Sequence, residues 1–249
     1  MIDRRLLKLN FKTLTSAIAD LAMPRVCIVC GRALMPGEHH ICLECLADFP
    51  RTRLSAMARN PMADLYNGKI EAGSYQYATA LFYYSSDSPY RTITQALKYH
   101  RDFGAGRMFA RMLGEEIKTS NVYKDVDLVV PVPLHWTRKI KRGYNQADVI
   151  AKEVARCLGV RLDTKALKRT RRTGSQVRLT GEERERNVSG AFRVRKKENI
   201  AWSRHILIVD DVYTTGATLA ACTEAIRAAL GRDIRISVAT LGFVSSTTI

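Results

Sequence analysis

The segment from Ile206 to Thr218 constrains the fold of this chain more than any other. It begins with four apolar residues, continues with the adjacent carboxylates Asp210 and Asp211, and ends in a hydroxyl-rich loop before an alanine-rich stretch. Uninterrupted apolar residues are typical of a strand covered on both faces, and the stretch after the loop favours a helix. Because ligands of open α/β sheets bind beyond the carboxyl ends of the strands, the sequence predicts a ligand site at this loop.

The loop residues have the chemistry of a phosphate cradle. Gly216 lacks the side chain that would keep the backbone away from a phosphate, and Thr214, Thr215 and Thr218 add hydroxyl donors. A helix that begins at Ala217 would supply free N–H groups and the positive end of its dipole. Two carboxylates beside such a cradle are repulsive unless the ligand brings hydroxyl donors, as a ribose does, or a cation such as Mg²⁺.

Two other interpretations of this segment compete with a ligand site. A strand that ends in acids also occurs in P-loop NTPases, but the G-x-x-x-x-G-K-[ST] motif is absent from the sequence, which excludes that class. A glycine turn without any ligand is the second alternative, and the order of acids, threonines and glycine is too specific for it.

Strand-like and helix-like segments alternate from about residue 74 onward. The predicted strands lie at 80–84, 128–132, 206–209 and 234–242, and the predicted helices at 89–100, 104–118, 145–158 and 217–230. This alternation indicates an α/β fold, a mostly parallel sheet flanked by helices on both faces. Upstream of it, Arg59-Asn60-Pro61 and Asn67-Gly68 are interpreted as loops or turns.

Four of the six cysteines form two Cys-x-x-Cys pairs. Cys27 with Cys30, and Cys42 with Cys45, can each offer two thiolates to one metal ion, and zinc is the usual occupant of such a site. A redox function would need one pair near a βαβ unit and would not explain two. We therefore predict a structural zinc site, in a small amino-terminal domain that resembles a zinc ribbon.

The domain boundary is placed after residue 60. Residues 1–60 carry a basic helix and the zinc site, and residues 61–249 carry the α/β domain. Cys157 and Cys222 lie in apolar helix-like stretches, so we predict that both are buried packing residues.

Several cations and amides are candidate contacts to a phosphorylated ligand or to nucleic acid, and most of them follow the strand predicted at 128–132. Residues 138–142 contain four cations in five positions, and 173–192 is polar without periodicity, as in a mobile flap that closes over a phosphorylated ligand. The basic run 168–172 is more typical of a solvated loop, and Lys98 suits a phosphate contact and a solvated helix position equally well. The candidate contacts to pyrophosphate or nucleic acid are Lys98, Arg138, Arg142, Asn145, Gln146 and Arg184.

The loop resembles that of the phosphoribosyltransferases. With the loop, the cysteine pairs and the polar segments taken together, the chain resembles the ComF family, competence-associated proteins of bacterial DNA uptake. The resemblance covers residues from about 22 to 244 and implies a type I phosphoribosyltransferase-like domain. It implies that 5-phosphoribosyl 1-pyrophosphate (PRPP) binds with Mg²⁺, its ribose hydroxyls on the two acids. It also implies that these acids are the catalytic residues, one of them stabilising positive charge at the anomeric carbon. The implied PRPP-binding residues are Asp210, Asp211, Thr214, Thr215, Gly216, Ala217 and Thr218.

Two functions are compatible with these motifs. The first is a DNA-uptake protein that binds PRPP and single-stranded DNA, either with phosphoribosyl transfer or with PRPP as a control ligand. Its implied partners are PRPP, single-stranded DNA and proteins of the uptake machinery. The alternative is a conventional phosphoribosyltransferase that acts on a nucleobase or another small nucleophile. Such an enzyme needs a hood that recognises the base, and residues 1–73 carry a zinc site instead.

The charge of the chain favours a polyanionic partner. Forty Lys and Arg residues against 24 Asp and Glu give a formal net charge of +16. A basic protein without such a partner is the alternative. Tyr83, Tyr84, Tyr90 and Tyr99 lie among cations and are suited either to stacking on single strands or to packing in the core.

The amino end is predicted to be a basic amphipathic helix. It either packs on its own domain or touches a membrane surface. No stretch has the roughly 18 apolar residues of a membrane span. We expect a cytoplasmic protein. If the helix touches a membrane surface, the protein would associate peripherally with the inner membrane.

Overall fold

The computed structural model describes residues 25–71, 73–100, 103–135, 140, 142–170 and 190–245. The chain forms two compact units, Met1–Phe49 and Pro50–Ile249. This division falls eleven residues before the boundary that we placed after residue 60. Residues 50–60 belong with the second unit because their backbone bonds to its first strand: Thr52 N donates to Leu81 O at 3.1 Å, and Tyr83 N donates to Pro50 O at 2.9 Å.

A five-stranded parallel sheet forms the centre of the second unit. Its strands are β1 (Ala78–Tyr83), β2 (Leu128–Pro131), β3 (Arg161–Leu162), β6 (His205–Tyr213) and β7 (Arg235–Phe243), in the spatial order β1-β7-β6-β2-β3. All four neighbouring pairs are parallel. Two short strands, β4 (Leu167–Arg169) and β5 (Phe192–Val194), pair with each other in an antiparallel ribbon.

Helices connect the strands. They are α1 (Leu43–Ala47) in the first unit, and α2 (Pro61–Asn67), α3 (Arg91–Gln95), α4 (Phe103–Lys118), α5 (Gln146–Leu158) and α6 (Ala217–Leu230) in the second. A π-helical turn, Ala96–His100, continues α3, and 3₁₀ turns lie at Leu54–Ala56 and Lys197–Asn199. Of the helices in the described part of the chain, none has both the length and the apolar character needed to cross a bilayer.

The sheet is covered on both faces. Ile206 of β6 belongs to a buried cluster with Tyr66 of α2 and Ile226 of α6, and the Tyr66 hydroxyl lies 2.6 Å from Thr223 Oγ1. Its neighbour Leu207 points to the opposite face, because successive side chains of a strand alternate. On that face α4 and α5 pack against each other and against the sheet. The predicted fold class, a parallel sheet flanked by helices with a cysteine cluster at the amino end, is confirmed.

Two local predictions differ from the structure. Strand β6 does not end before the acids but runs to Tyr213, because Val212 still pairs with Gly242 of β7. The interpretation of Asn60-Pro61 as a loop is wrong, since it starts α2: the Asn60 side chain accepts a hydrogen bond from Ala63 N at 2.9 Å. Proline is favoured at the first position of a helix, where its missing N–H costs nothing.

Asn60 also joins α2 to the sheet. Its side-chain amide donates to the carbonyl oxygens of Ala78 at 3.0 Å, Met57 at 3.2 Å and Leu54 at 3.3 Å, and the residue is 3% exposed. A buried amide with this many partners is costly to remove, because its partners lose their hydrogen bonds without regaining water.

We expect Asn60→Ala to lower the free energy of unfolding by about 2–3 kcal/mol, the sum of a lost helix cap and of unsatisfied buried carbonyls. Denaturant-induced unfolding followed by circular dichroism measures this loss. Asn121→Ala is the matched control, since Asn121 is exposed, and it should change the stability little. Equal stabilities of the two variants would show that the hydrogen bonds of Asn60 do not stabilise the fold.

Candidate functional site

The four predicted metal ligands come together in the first unit. One Sγ atom from each of Cys27, Cys30, Cys42 and Cys45 lies within 4.8 Å of all the others. The Sγ atoms of Cys30 and Cys42 are 3.8 Å apart. Four sulfurs at tetrahedral corners, each about 2.3 Å from a zinc ion, are about 3.8 Å from one another. The cluster could therefore hold a metal ion, and its donor set and spacing fit structural zinc.

Tight turns hold the cysteines in place. Gly31 follows the first pair with φ = +76°, a conformation that favours glycine, and its N–H donates to Cys27 O at 2.8 Å. Cys42 caps α1, since its Sγ accepts a hydrogen bond from Cys45 N at 3.4 Å. The buried Glu38 carboxylate accepts hydrogen bonds from Leu43 N at 2.8 Å and Met35 N at 2.7 Å, which connects the two pairs.

The thiols of this cluster differ in acidity. Burial opposes ionisation of Cys27, but the backbone N–H groups of Cys30, Cys42 and Val29 lower its pKa to about 6. Burial and the neighbouring thiols raise the pKa of Cys45. Four thiolates this close repel one another, so full ionisation of the cluster requires a bound cation.

In the second unit, residues from three separate segments meet at the carboxyl end of β6. The Lys98 ammonium lies 2.8 Å from Asp211 Oδ2, and Gln146 Nε2 lies 3.5 Å from the same oxygen. Arg142 donates to Gln146 Oε1 at 3.1 Å. Three of the predicted contacts, Lys98, Arg142 and Gln146, therefore form one polar network with a predicted carboxylate.

The surrounding structure holds this network in place. Lys98 lies in the π-helical turn, and the hydroxyl of Tyr144 donates to the backbone oxygen of the preceding Leu97. The side chain of Asn145 caps α5 by accepting from Ala147 N at 3.3 Å, and it donates to Val132 O at 3.0 Å. Asn145, which we predicted to contact a ligand, thus fixes the start of α5 to the end of β2. The other two predicted contacts, Arg138 and Arg184, lie outside the described residues.

The two carboxylates differ in their electrostatic surroundings. Burial, and after it the negative charge of Asp211, raises the pKa of Asp210 to about 8. Burial acts to lower the pKa of Lys98, but the charge of Asp211, its hydrogen bond to the lysine and the charge of Asp210 together raise the pKa. Burial therefore favours the protonated form of Asp210, which lies beside the Lys98–Asp211 ion pair.

The loop after β6 borders a cavity of about 140 Å³. Helix α6 begins there at Ala217. Its N-cap residue is Gly216, and no side-chain capping hydrogen bond is made there among the described residues. Only a long contact of 3.4 Å joins Ala217 N to Thr215 Oγ1, so the first N–H groups of the helix face the cavity largely unsatisfied. The lining residues are Lys98, Asp210, Asp211, Val212, Tyr213, Thr214, Thr215, Gly216, Ala217, Thr218 and Leu219.

Gly216 is required here for two reasons. Its φ is +75°, and a Cβ at this position would overlap the hydroxyl of Tyr213. The Tyr213 side chain thus lies directly under the loop, 1% exposed, and its hydroxyl has no hydrogen-bond partner among the described residues. Tyr213 was not among the site residues predicted from the sequence, although its aromatic side chain directly before the threonine–glycine loop indicates a residue that supports the loop.

A second polar cluster lies at the amino end of β6. His205 Nδ1 is 3.0 Å from Asp125 Oδ1, and His205 Nε2 is 2.7 Å from Ser237 Oγ. These distances match a Ser-His-Asp hydrolase triad, but Ser237 is fully buried in β7 and no substrate can reach it. The cluster is therefore structural.

Tyr83, Tyr84 and Tyr90, three of the tyrosines that suit either stacking or packing, are partly buried. The ring centroids of Tyr83 and Phe243 are 6.2 Å apart, and those of Tyr84 and Phe82 are 6.5 Å apart. Cys157 and Cys222 are buried, as predicted.

The chain is similar to bacterial competence and DNA utilization proteins. It is 30% identical over 209 residues to the DNA utilization protein YhgH of Salmonella typhimurium, an alignment that covers 80% of this chain and 89% of the relative. It is 32% identical over 142 residues to Competence protein F of Haemophilus influenzae, covering 56% and 62% of the two chains, and 30% identical over 138 residues to Competence protein ComFC of Streptococcus pneumoniae, covering 55% and 57%. The alignments with these last two thus span only about three fifths of the relatives' lengths. No protein-family model matches the chain.

We expect Cys27→Ser to lose the metal ion, because a site with three thiolates binds zinc more weakly, and to destabilise the first unit. Elemental analysis after dialysis against a chelator measures the metal content. Cys157→Ser is the control, since Cys157 is buried outside the cluster, and it should retain about one equivalent. One equivalent of metal in the Cys27→Ser protein would rule out the four-cysteine site.

The raised pKa of Asp210 predicts a pH-dependent stability. The folded protein holds a proton on Asp210 up to pH about 8, whereas the unfolded chain releases it near pH 4, so this group lowers the stability as the pH rises between those values. Asp210→Asn mimics the protonated form. We expect it to exceed the wild type by at least about 1 kcal/mol at a pH near 9 and to differ much less near pH 5.

Urea denaturation at the two pH values measures both differences. The control is Asp233→Asn, because Asp233 is exposed and its substitution should have no pH-dependent effect. A constant difference between Asp210→Asn and the wild type at both pH values would show that Asp210 is ionised throughout.

Proposed function

Because this chain belongs to the ComF family, we propose that it acts in bacterial DNA uptake or utilization, and that it binds PRPP with Mg²⁺ at the β6–α6 loop and single-stranded DNA on its surface. The observation that carries the PRPP proposal is the juxtaposition, in one cavity, of Asp210, Asp211 and the uncapped start of α6. Carboxylates and a phosphate cradle side by side match a ligand that has hydroxyl groups at one end and a phosphate at the other.

The ribose hydroxyls would bind at the two acids. Each carboxyl group can accept a hydrogen bond from a hydroxyl, and the protonated form of Asp210 can also donate one. The 5′-phosphate would lie at Thr214–Thr218, where threonine hydroxyls and the first N–H groups of α6 are available. The cavity, about 140 Å³, is smaller than the roughly 300–1,000 Å³ of typical ligand pockets, so the pyrophosphate would extend beyond it.

Magnesium fits the donor set of this site. The carboxyl oxygens of Asp210 and Asp211, with oxygens of the ligand itself, are the hard oxygen donors that Mg²⁺ prefers. Asp210 would lose its proton beside such a cation, so that both acids would then be carboxylates. When bound, Mg²⁺ would neutralise the pyrophosphate. The chain's own contribution is the network of Lys98, Gln146 and Arg142, which places two cations beside the acids.

The reaction that such a site supports is phosphoribosyl transfer. The bond between the anomeric carbon and the pyrophosphate oxygen breaks, and its electron pair leaves with pyrophosphate. A lone pair of the acceptor forms the new bond, and the acceptor releases a proton. The anomeric carbon gains positive charge in between, and the carboxylates at the end of β6 would stabilise that charge.

The DNA proposal rests on the names of the relatives and on the net charge of +16.

We also propose a cytoplasmic location and contacts with proteins of the uptake machinery. A reducing compartment suits the four clustered thiols, which a disulfide-forming one would oxidise.

Calorimetric titration of the metal-loaded protein with PRPP and Mg²⁺, with pyrophosphate release followed in the same sample, tests this function. We expect saturable binding that requires both components. Release only in the presence of a single-stranded oligonucleotide would identify a DNA-dependent transferase, and release with a free nucleobase would favour a conventional phosphoribosyltransferase. Absence of binding would refute the PRPP proposal.

We expect the double substitution Asp210→Asn with Asp211→Asn to weaken PRPP binding at least about 100-fold, because hydrogen bonds to charged groups contribute about 1.5–3 kcal/mol each. The same titration measures the loss, and circular dichroism checks the fold. Asp233→Asn removes one exposed carboxylate elsewhere and should bind normally. Unchanged affinity in the double variant would mean that these acids do not contact the ligand.

A further inference from the structure

The short ribbon of β4 and β5 has a strongly basic outer face. Its strand register places Lys168 directly opposite Arg193, and both side chains are exposed. Like charges at directly opposed positions of an antiparallel pair are destabilising. On the inner face of the ribbon, Leu167 and Phe192 are buried in the core, so the ribbon is held in place while its outer face carries this repulsion. The pairing is therefore unfavourable for folding and points to a ligand of opposite charge.

A groove of about 500 Å³ runs beside the ribbon. It is lined by Lys165, Lys168, Arg195, Lys196 and Asn199. Of these cations, none forms an ion pair with a carboxylate of the described residues. Residues 163–169 and 192–199 together contain seven cations and two carboxylates, Asp163 and Glu198, and neither acid lines the groove.

An exposed aromatic ring lies at the end of the groove. Trp202 is 41% exposed, and its indole N–H donates to the backbone oxygen of Asn199, a groove residue, at 2.8 Å. The guanidinium of Arg161 lies 4.4 Å from the centroid of the Trp202 ring. A tryptophan held in place by a hydrogen bond, beside unpaired cations, is suited to stack on an unpaired base.

We propose that this basic groove, with Lys168 and Arg193 of the ribbon and Trp202, is the surface that binds single-stranded DNA. The inference rests on the DNA part of the proposed function and assigns it to a site. The cations would bind successive phosphates, and the indole ring would stack on a base. Stacking needs a base that is not paired, which favours a single strand over a duplex. A concave groove with a single large apolar side chain also fits a chain of phosphates better than the plane of a bilayer.

This surface is distinct from the PRPP site in its electrostatics. At the end of β6 the cation Lys98 is paired with Asp211, whereas the groove cations have no carboxylate partner in the described part of the chain. The groove cations are thus available to a polyanion, whereas the charge of Lys98 is already compensated.

The test compares two double variants that lose the same charge. Lys168→Gln with Arg193→Gln removes the opposed pair, and Lys118→Gln with Lys152→Gln removes two exposed cations of α4 and α5. Anisotropy of a fluorescein-labelled oligothymidylate measures affinity as a function of salt. With about four phosphate contacts, the slope of log K against log salt should be near −3 for the wild type. The ribbon variant lacks two of these contacts, so its slope should be less steep by about 1.4.

We expect the ribbon variant to bind at least about tenfold more weakly and to be no less stable than the wild type, since the substitutions relieve a repulsion. The control variant should bind like the wild type. If both variants lose affinity equally, the net charge rather than the groove binds DNA, and the inference is wrong. If the wild type itself does not bind the oligonucleotide at low salt, the DNA part of the proposed function fails.

The fluorescence of Trp202 tests the stacking directly. The chain has two tryptophans, so Trp136→Phe leaves Trp202 as the single indole. We expect oligothymidylate to quench its emission and inorganic polyphosphate, which has no bases, to leave it nearly unchanged. Equal quenching by both ligands would overturn the stacking. A duplex of the same length that binds as tightly, or anionic phosphatidylglycerol vesicles that displace the oligonucleotide, would overturn the choice of a single strand.

Discussion

Strand β6 pairs in parallel with β2 on one side and with β7 on the other. A shift of this strand by one residue would turn every one of its buried side chains to the opposite face, so the register is strongly held. The pairing continues through the acids to Tyr213, and this is why Asp210 and Asp211 lie on rigid strand backbone rather than in a loop. The threonine-rich loop begins only where the pairing with Phe243 ends. The geometry of the candidate site thus depends on the central position of one strand.

The cations of the second unit belong to two different electrostatic environments. Lys98 has a side chain that is only 25% exposed and lies 2.8 Å from Asp211 Oδ2, so its charge stabilises that carboxylate in the folded chain. Lys168 and Arg193 are exposed and oppose each other, which costs folding energy. The net charge of +16 does not distinguish these cases. The pairing of individual side chains does, and it separates a site for a small ligand from a surface for a polyanion.

The sequence allowed the main elements of the sheet and the four clustered cysteines to be predicted, because both follow from local patterns. Helix α6 spans Ala217–Leu230, the predicted range, since its glycine and threonine start and its alanine-rich body act within a few residues. Helix α2 was missed because Asn60-Pro61 is a turn signal and a helix start alike, and only tertiary contacts such as the hydrogen bond from Asn60 to the β1 carbonyl of Ala78 decide between them. The ribbon strands were missed because three residues are too few to show a period.

What the sequence alone determined is the set of groups available: two adjacent carboxylates, a threonine–glycine loop, two cysteine pairs and a surplus of cations. Each of these groups consists of residues that are close together in the sequence, so a short segment is enough to identify it. The tertiary structure decided which distant residues complete each site. It brought Lys98 and Gln146 to Asp211, turned Asn145 into a helix cap, and buried Ser237 beside His205 so that a triad-like arrangement has no access to substrate. Such contacts join residues far apart in the chain, and they depend on how helices pack on the sheet, which no local pattern encodes.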